Sequence, residues 1–184
     1  LTAWDIIVPG RAAVLRLRGP HGALDLYSLY FATGTAGMVQ PRDVALSMAR
    51  QRAIEIRAVD QRRQMRLDVA QAMQPSDSVL SVLAGDFNWV TQESDRTYKA
   101  EARYTGAKDS SEEQHFVEVL EKPFGLHEVH QPHSTHDSAA ARSRLDRVYW
   151  NQHLSQQLDR EILATTLEWV PRLSAHRAVA FARR

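Results

Sequence analysis

Residues 79–88 read Val-Leu-Ser-Val-Leu-Ala-Gly-Asp-Phe-Asn. The first six, 79–84, form a continuous run rich in Val and Leu, flanked by Ser and Gly. That is the pattern of a strand buried on both faces. Directly after it, Asp86 and Asn88 set a carboxylate and an amide at the end of a central strand. Strand ends form the rim of a sheet, where two polar groups can face one ligand. A plain turn is the alternative, because Asp and Asn both favour turns.

The flanking segments place this strand in a sheet with few helices. Residues 12–18 (AAVLRLR) and 23–30 (ALDLYSLY) are short alternating runs separated by Gly19-Pro20-His21-Gly22, which predicts a β-hairpin. Phe31 to Pro41 reads as a loop. Asp43 to about Met73 is rich in Ala, Arg, Gln and Met without Gly or Pro, and reads as one or two helices. Its arginines (Arg50, Arg52, Arg57, Arg62, Arg63, Arg66) spread around the helix, as on a solvated face rather than a nucleic-acid patch. Ser110 to Glu121 predicts a helix capped by Ser110 or Ser111, with Glu112 and Glu113 in its first turn and Pro123 as its stop. Residues 144–150 alternate again, with Leu145, Val148 and Trp150 as packing positions; 161–167 and 177–182 are further strands. The order predicts an α/β or α+β sandwich.

Composition excludes several classes. The chain has 184 residues, the size of one domain. Apolar residues make up 43% and charged residues 24%, an ordinary globular balance. Lys plus Arg is 23 against 22 Asp plus Glu, so any nucleic-acid contact must come from a local patch. There are no cysteines, which excludes disulfides, thiolate zinc sites and a Cys nucleophile. No apolar run approaches the ~18 residues that span a bilayer. The chain begins Leu1-Thr2-Ala3-Trp4, without Met, a basic segment or an apolar segment, and reads as a fragment of a longer product rather than a start with a signal peptide.

Two further stretches carry chemistry. In Ser143-Arg144-Leu145-Asp146-Arg147-Val148-Tyr149, Asp146 interrupts a packed strand, and a buried carboxylate needs a partner. A surface pair with Arg144 or Arg147 is the alternative to a site role. In Leu173-Ser174-Ala175-His176-Arg177-Ala178-Val179, His176 precedes the last strand. Taken together, the three stretches supply Asp, Asn, Asp and His from strand edges. A fourth feature is His127, His130, His133 and His136, spaced by three. Pro132 interrupts any helix there, so a solvated loop is expected rather than a transition-metal site.

GDFN, SRLDRVY and SAHRAV, in this order and spacing, resemble the carboxy-terminal part of the endonuclease/exonuclease/phosphatase superfamily. That superfamily includes abasic-site endonucleases, LINE-type retrotransposon endonucleases, DNase I and inositol phosphatases. GDFNWV followed by Asp95-Arg96 looks most like the retroelement branch. Gly10-Arg11, the strand ending at Tyr30 and the segment from Gln131-Pro132 to Thr135-His136 fit it more loosely. The resemblance implies an α/β (α+β) fold: a DNase I-like two-sheet β-sandwich flanked by helices, incomplete at its amino terminus, with residues 1–184 as one domain. It implies a metal-dependent phosphodiester hydrolase, a retroelement-type DNA endonuclease that is degenerate or inactive as this fragment. The alternatives are a phosphatase-branch member acting on a small phosphoester and a non-catalytic binding module that retains the fold. The implied partner is DNA, with a reverse transcriptase encoded downstream, no membrane and an intracellular location.

By the same resemblance, Asp86 orients or deprotonates the attacking water, Asn88 holds the scissile phosphate, and His176 stabilises charge on it. Asp146 fixes the His176 tautomer, and Tyr30 lies near the phosphate. Apart from the resemblance, Trp89 reads first as packing beside the sheet, with stacking on a base near the site as the alternative that would make it substrate-binding. The family's cation is Mg²⁺, and two departures weaken it here. Ala175 and Ala178 stand where the family has Asp and Pro, and the opening motifs that supply an Asn and the principal metal-ligating Glu are not found. Mg²⁺ prefers carboxylate oxygens in near-octahedral geometry, so weak binding or none is expected, and no metal ligand is assigned. Without the family's first strands, an edge and an apolar face should lie open, which favours poor solubility or oligomers.

Overall fold

The structure, a computed structural model, describes residues 2–20, 22–33, 44–75, 77–106, 108–151, 162–169 and 174–183. Its frame is a six-stranded sheet in the order β1-β2-β3-β4-β9-β6, where β1 is Thr2–Val8, β2 Ala12–Gly19, β3 Gly22–Tyr30, β4 Leu80–Asp86, β6 Leu126–Glu128 and β9 Asp146–Asn151. The predicted hairpin is β2–β3, paired antiparallel from Ala12↔Leu29 to Gly19↔Gly22. Within this sheet only β3 and β4 run parallel. A parallel pair needs a crossover, and α1 (Val44–Ala72) provides it. The predicted start of that helix at Asp43, and most of the predicted loop before it, lie outside the described residues.

Alternation divides the main sheet into two faces. Val14, Tyr27, Leu29, Leu83 and Tyr149 face the helices and form one core with Met65 and Val69 of α1 and with Phe116 and Leu120. The second helix, α2 (Ser110–Phe116), continues through a π turn at 117–121 into a last turn, α3 (Lys122–Phe124). It therefore runs through Pro123 rather than stopping there. The widened turn, in which the Lys122 N–H donates to the Val117 carbonyl, accommodates the proline. Gly125, in the left-handed region, ends the helix. The cap residue is Asp109, not Ser110 or Ser111.

A three-stranded sheet, β5-β8-β7, packs beside the main one: β5 is Arg96–Tyr98, β7 His136–Asp137 and β8 Ala141–Ser143. The antiparallel pair β10 (Ile162–Thr166) and β11 (Val179–Arg183) forms the second layer. A cavity of about 560 Å³ lies between this layer and the main sheet, lined by Ala84 and Val148 on one side and Leu167 and Val179 on the other. The result is a mixed α/β fold with a two-sheet core and few helices, as expected.

Two expectations are corrected, and one strand is added. Thr2–Val8, which no motif marked, is an edge strand. The arginines of α1 are not all solvated: Arg62 and Arg66 are buried against Glu112 of α2, whereas Arg57 and Arg63 are exposed. The side chains of Arg50 and Arg52 lie outside the described residues. Asp146 does not pair with Arg144 or Arg147. Both guanidiniums turn to Asp95 and Glu128 instead.

Candidate active site

The site begins where β4 ends. Gly85 has a φ of +152°, and a Cβ there would lie 1.8 Å from the Leu29 carbonyl oxygen. Only glycine fits so close to the neighbouring strand. Phe87 points into the core, and Asp86 and Asn88 are left at the rim. Asn88 turns the chain at φ +56°, a left-handed position that Asn tolerates better than most residues. Its backbone N–H donates to Asp86 Oδ1 at 3.0 Å. Its side-chain Nδ2 donates to Asp86 Oδ2 at 2.9 Å and to the Phe31 carbonyl at 2.8 Å. Both amide hydrogens are thus engaged, and in this geometry Asn88 holds Asp86.

Asp86 pairs in register with Tyr30 on one side and Asp146 on the other. Paired positions share a face, so the three side chains stand in a row across the sheet end. Tyr30 is 46% exposed, and the Arg11 guanidinium stacks 4.7 Å from its ring centroid. Asp146 is set by Thr135, whose Oγ1 accepts hydrogen bonds from the Leu145 and Asp146 N–H groups at 3.0 and 2.9 Å.

His176 closes the arrangement from the second layer. Its Nδ1 lies 2.9 Å from Asp146 Oδ2 and its Nε2 lies 3.8 Å from Asp86 Oδ2. The backbone docks on β7: the Arg177 N–H donates to the Thr135 carbonyl at 2.7 Å, and the Asp137 N–H donates to the Ala175 carbonyl at 2.9 Å. Ser174 Oγ accepts from the His176 N–H at 2.9 Å. The charges follow from these contacts. Burial first and the Asp146 charge second lift the Asp86 carboxyl to about 6, against the opposing pull of His176 and Asn88. The hydrogen bond to Asp146 raises His176 above its ordinary value, against the effect of burial. An imidazolium between two carboxylates is the state this geometry favours.

Asp86, Asp146 and His176 present ligand atoms within 4.8 Å of one another. They could share a cation, but each donor already has a partner: Asn88 for both Asp86 oxygens, and Asp146 and His176 for each other. Two carboxylates and an imidazole fall short of the oxygen shell a hard divalent ion requires. The set fits an ion-paired triad better than a Mg²⁺ centre. Of the four spaced histidines, only His136 meets the site, with its ring centroid 4.7 Å from that of His176. His127, His130 and His133 are exposed.

The structure therefore brings Asp86, Asn88, Asp146, His176 and Tyr30 to one rim. Trp89 is the exception and a correction. It is fully buried, edge-on to Phe31 and Phe87 with centroids 5.1 and 5.2 Å away, and beneath the Arg66 guanidinium at 4.4 Å. It packs beside the sheet and offers no face to a base. Sequence reasoning missed Thr135 and Asp95. Asp95 accepts from Arg144 Nε at 2.7 Å, Arg147 Nη2 at 2.8 Å and the N–H groups of Thr91 and Gln92 at 3.0 Å. Burial would raise its carboxyl, but these donors hold it at about 2. The Asp95-Arg96 pair is thus architectural: Asp95 ties the 91–95 turn to the strand beginning at Asp146, and Arg96 Nε donates to Ser143 Oγ at 3.0 Å.

The sequence profile of the endonuclease/exonuclease/phosphatase family matches residues 5–163. The chain belongs to that family. Its structure is similar to a 3′ phosphatase from Neisseria solved with a product DNA hairpin, at 15% identity and TM-score 0.63, covering 100% of this chain and 72% of that one. It is also similar to an AP endonuclease from Leishmania major (15% identity, TM-score 0.57, covering 95% of this chain and 55% of that one). A third likeness is to an AP endonuclease from Archaeoglobus fulgidus (12%, 0.57, 99% and 70%). At these identities the likeness is one of fold. No curated protein sequence matches the chain significantly.

Proposed function

We propose that this chain carries the water-orienting and phosphate-facing half of a phosphodiester hydrolase of the retroelement DNA endonuclease type. The observation that supports it is the row Tyr30, Asp86, Asp146 capped by His176, with Nδ1 of His176 on Asp146 and Nε2 turned toward Asp86. Asp86, as carboxylate, accepts a proton from water at the rim. His176, as imidazolium, donates toward an oxygen on which negative charge develops. Asp146 keeps the proton on Nδ1 and so fixes which edge of the ring faces the ligand. Arg11 adds a positive group beside Tyr30, where a phosphodiester backbone would run. GDFNWV with Asp95-Arg96 supports the retroelement branch over a small-phosphoester phosphatase, and with it DNA as partner, an intracellular setting and a reverse transcriptase encoded downstream.

Mg²⁺ supplies Lewis-acid stabilisation in such chemistry. Here Ala175 stands where the resemblance calls for a carboxylate, and the three donors present are engaged, so its affinity should be weak. Binding phosphate without that stabilisation does not lower the barrier. The test is nicking of supercoiled plasmid and abasic-site DNA by the chain, by Ala175→Asp and by His176→Ala, with Mg²⁺ or EDTA. The expected result is no more than trace nicking by any of the three. Robust, EDTA-sensitive cleavage by the unmodified chain, lost in His176→Ala, would overturn the weak-metal part. Absence of DNA binding would overturn the whole proposal. A second reading, a non-catalytic binding module that keeps the fold, rests on Ala175 alone; it predicts no nicking at all, whereas the hydrolase reading predicts a trace that His176→Ala removes.

A further inference from the structure

We infer that His136 is a positioning residue whose imidazole packs tilted against the His176 ring and limits the plane in which that ring presents its two nitrogens. The proposal above uses His176, Asp146 and Asp86 but assigns nothing to His136. A histidine ring turns about a broad, two-fold torsion, and one hydrogen bond does not lock it. The Nδ1 contact with Asp146 selects which edge of His176 faces the sheet. It leaves the ring free to tilt about that bond, because Nε2, 3.8 Å from Asp86, is beyond direct hydrogen-bond reach. The missing constraint comes from the other side, where the two ring centroids lie 4.7 Å apart with the planes inclined at 54°.

The backbone makes this contact obligatory. His136 and His176 form an antiparallel β-bridge, so their side chains leave from the same face. The bridge is flanked by the bonds from Arg177 to Thr135 and from Asp137 to Ala175. Thr135, one residue earlier, holds the backbone of Asp146 through its hydroxyl. A single three-residue segment, Thr135–Asp137, thus sets both members of the Asp146–His176 pair: Thr135 the carboxylate, His136 the ring. Burial, and next the charge of His176, lower the His136 pKa. A neutral ring against an imidazolium is attractive in the manner of a cation over an aromatic face.

The test reads ring geometry rather than turnover. Histidine side-chain NMR is recorded on the full chain and on His136→Ala, His136→Leu and His136→Phe. In the unmodified chain the His176 Nδ1 proton should be hydrogen-bonded and slow to exchange with water. His136→Phe, which keeps a flat ring, should preserve that signal. His136→Ala should speed its exchange by about two- to tenfold, the range an aromatic contact supplies. His136→Leu, which fills the space without a flat ring, should behave like His136→Ala, and it decides the matter if His136→Ala fails to fold. An unchanged His176 signal in both the Ala and the Leu variants would overturn the inference. The inference rests on the proposed hydrolytic reading only for the purpose of the positioning. A chain that binds no DNA but keeps a ring-dependent His176 signal would refute that reading and leave this one standing.

Discussion

Between about pH 4 and pH 6 the folded chain keeps a proton on Asp86 that the unfolded chain has released, because burial and Asp146 lift this carboxyl to about 6. The native state binds more protons in that window, so its stability falls as pH rises. The full effect is on the order of 3 kcal/mol. His176 slopes the same way. Its folded pKa is raised, so its contribution is complete below the unfolded value near 6.5 and is lost as pH rises through the folded one. Urea midpoints should therefore fall from pH 4 toward pH 8, and Asp86→Asn should flatten the part below pH 6. Midpoints that climb over that range would refute the assignment. Asn88 allows geometry and chemistry to be separated. Asn88→Gly keeps the left-handed turn and loses the amide bonds, whereas Asn88→Ala loses both. The Ala variant should be less stable than the Gly variant by roughly 1 kcal/mol, measured by the same denaturation.

The turn at 91–95 and the strand from Asp146 to Asn151 are joined by one carboxylate serving two buried guanidiniums. Removing it leaves two buried guanidiniums to share Glu128 alone. Asp95→Ala should cost about 3–5 kcal/mol, read as a lower denaturation midpoint at pH 7. Because Asp95 is held at about 2, its stabilisation is present above the unfolded carboxyl value and lost as pH falls toward 2, the reverse of Asp86. This network also marks the limit of what the sequence could show. GDFN was legible because its pattern is local: a buried apolar run followed at once by two polar groups at the strand end. Strand β4 was legible from its apolar run and β9 from alternation, and the two last strands were placed as well. The fates of Arg62, Arg66, Arg144 and Arg147 were not, since each depends on a carboxylate brought close only by folding, as Glu112 is to Arg66. The stacking alternative for Trp89 failed for the same reason: adjacency to Asn88 in sequence says nothing of the face the chain shows after a left-handed turn.

At the scale of the molecule, among the described residues one face of the main sheet meets the helices and β10 and β11 lie over part of the other. On the uncovered side, edge strand β1 shows Trp4 at 61% and Ile6 at 65% exposure. Unpaired edges beside large apolar side chains promote association. The isolated chain should sediment as oligomers at micromolar concentration, and the double variant Trp4→Ser, Ile6→Thr should shift it toward monomer in analytical ultracentrifugation. A monomer that is indifferent to those changes would count against this face being sticky.

The rim assembled at the end of β4 has two halves with different anchorage. Asp86 sits between β3 and β9 of the main sheet, and Asp146 is paired with it on β9. His176 reaches them from the second layer through a bridge of two backbone bonds. Such an attachment opens at a lower free energy than the sheet itself. Low urea should therefore detach the histidine while the body stays intact: a trypsin cut after Arg177 should appear before tryptophan fluorescence reports any exposure of Trp89. The chain would then be present, folded and incompetent, its two carboxylates still facing each other with the charge between them gone.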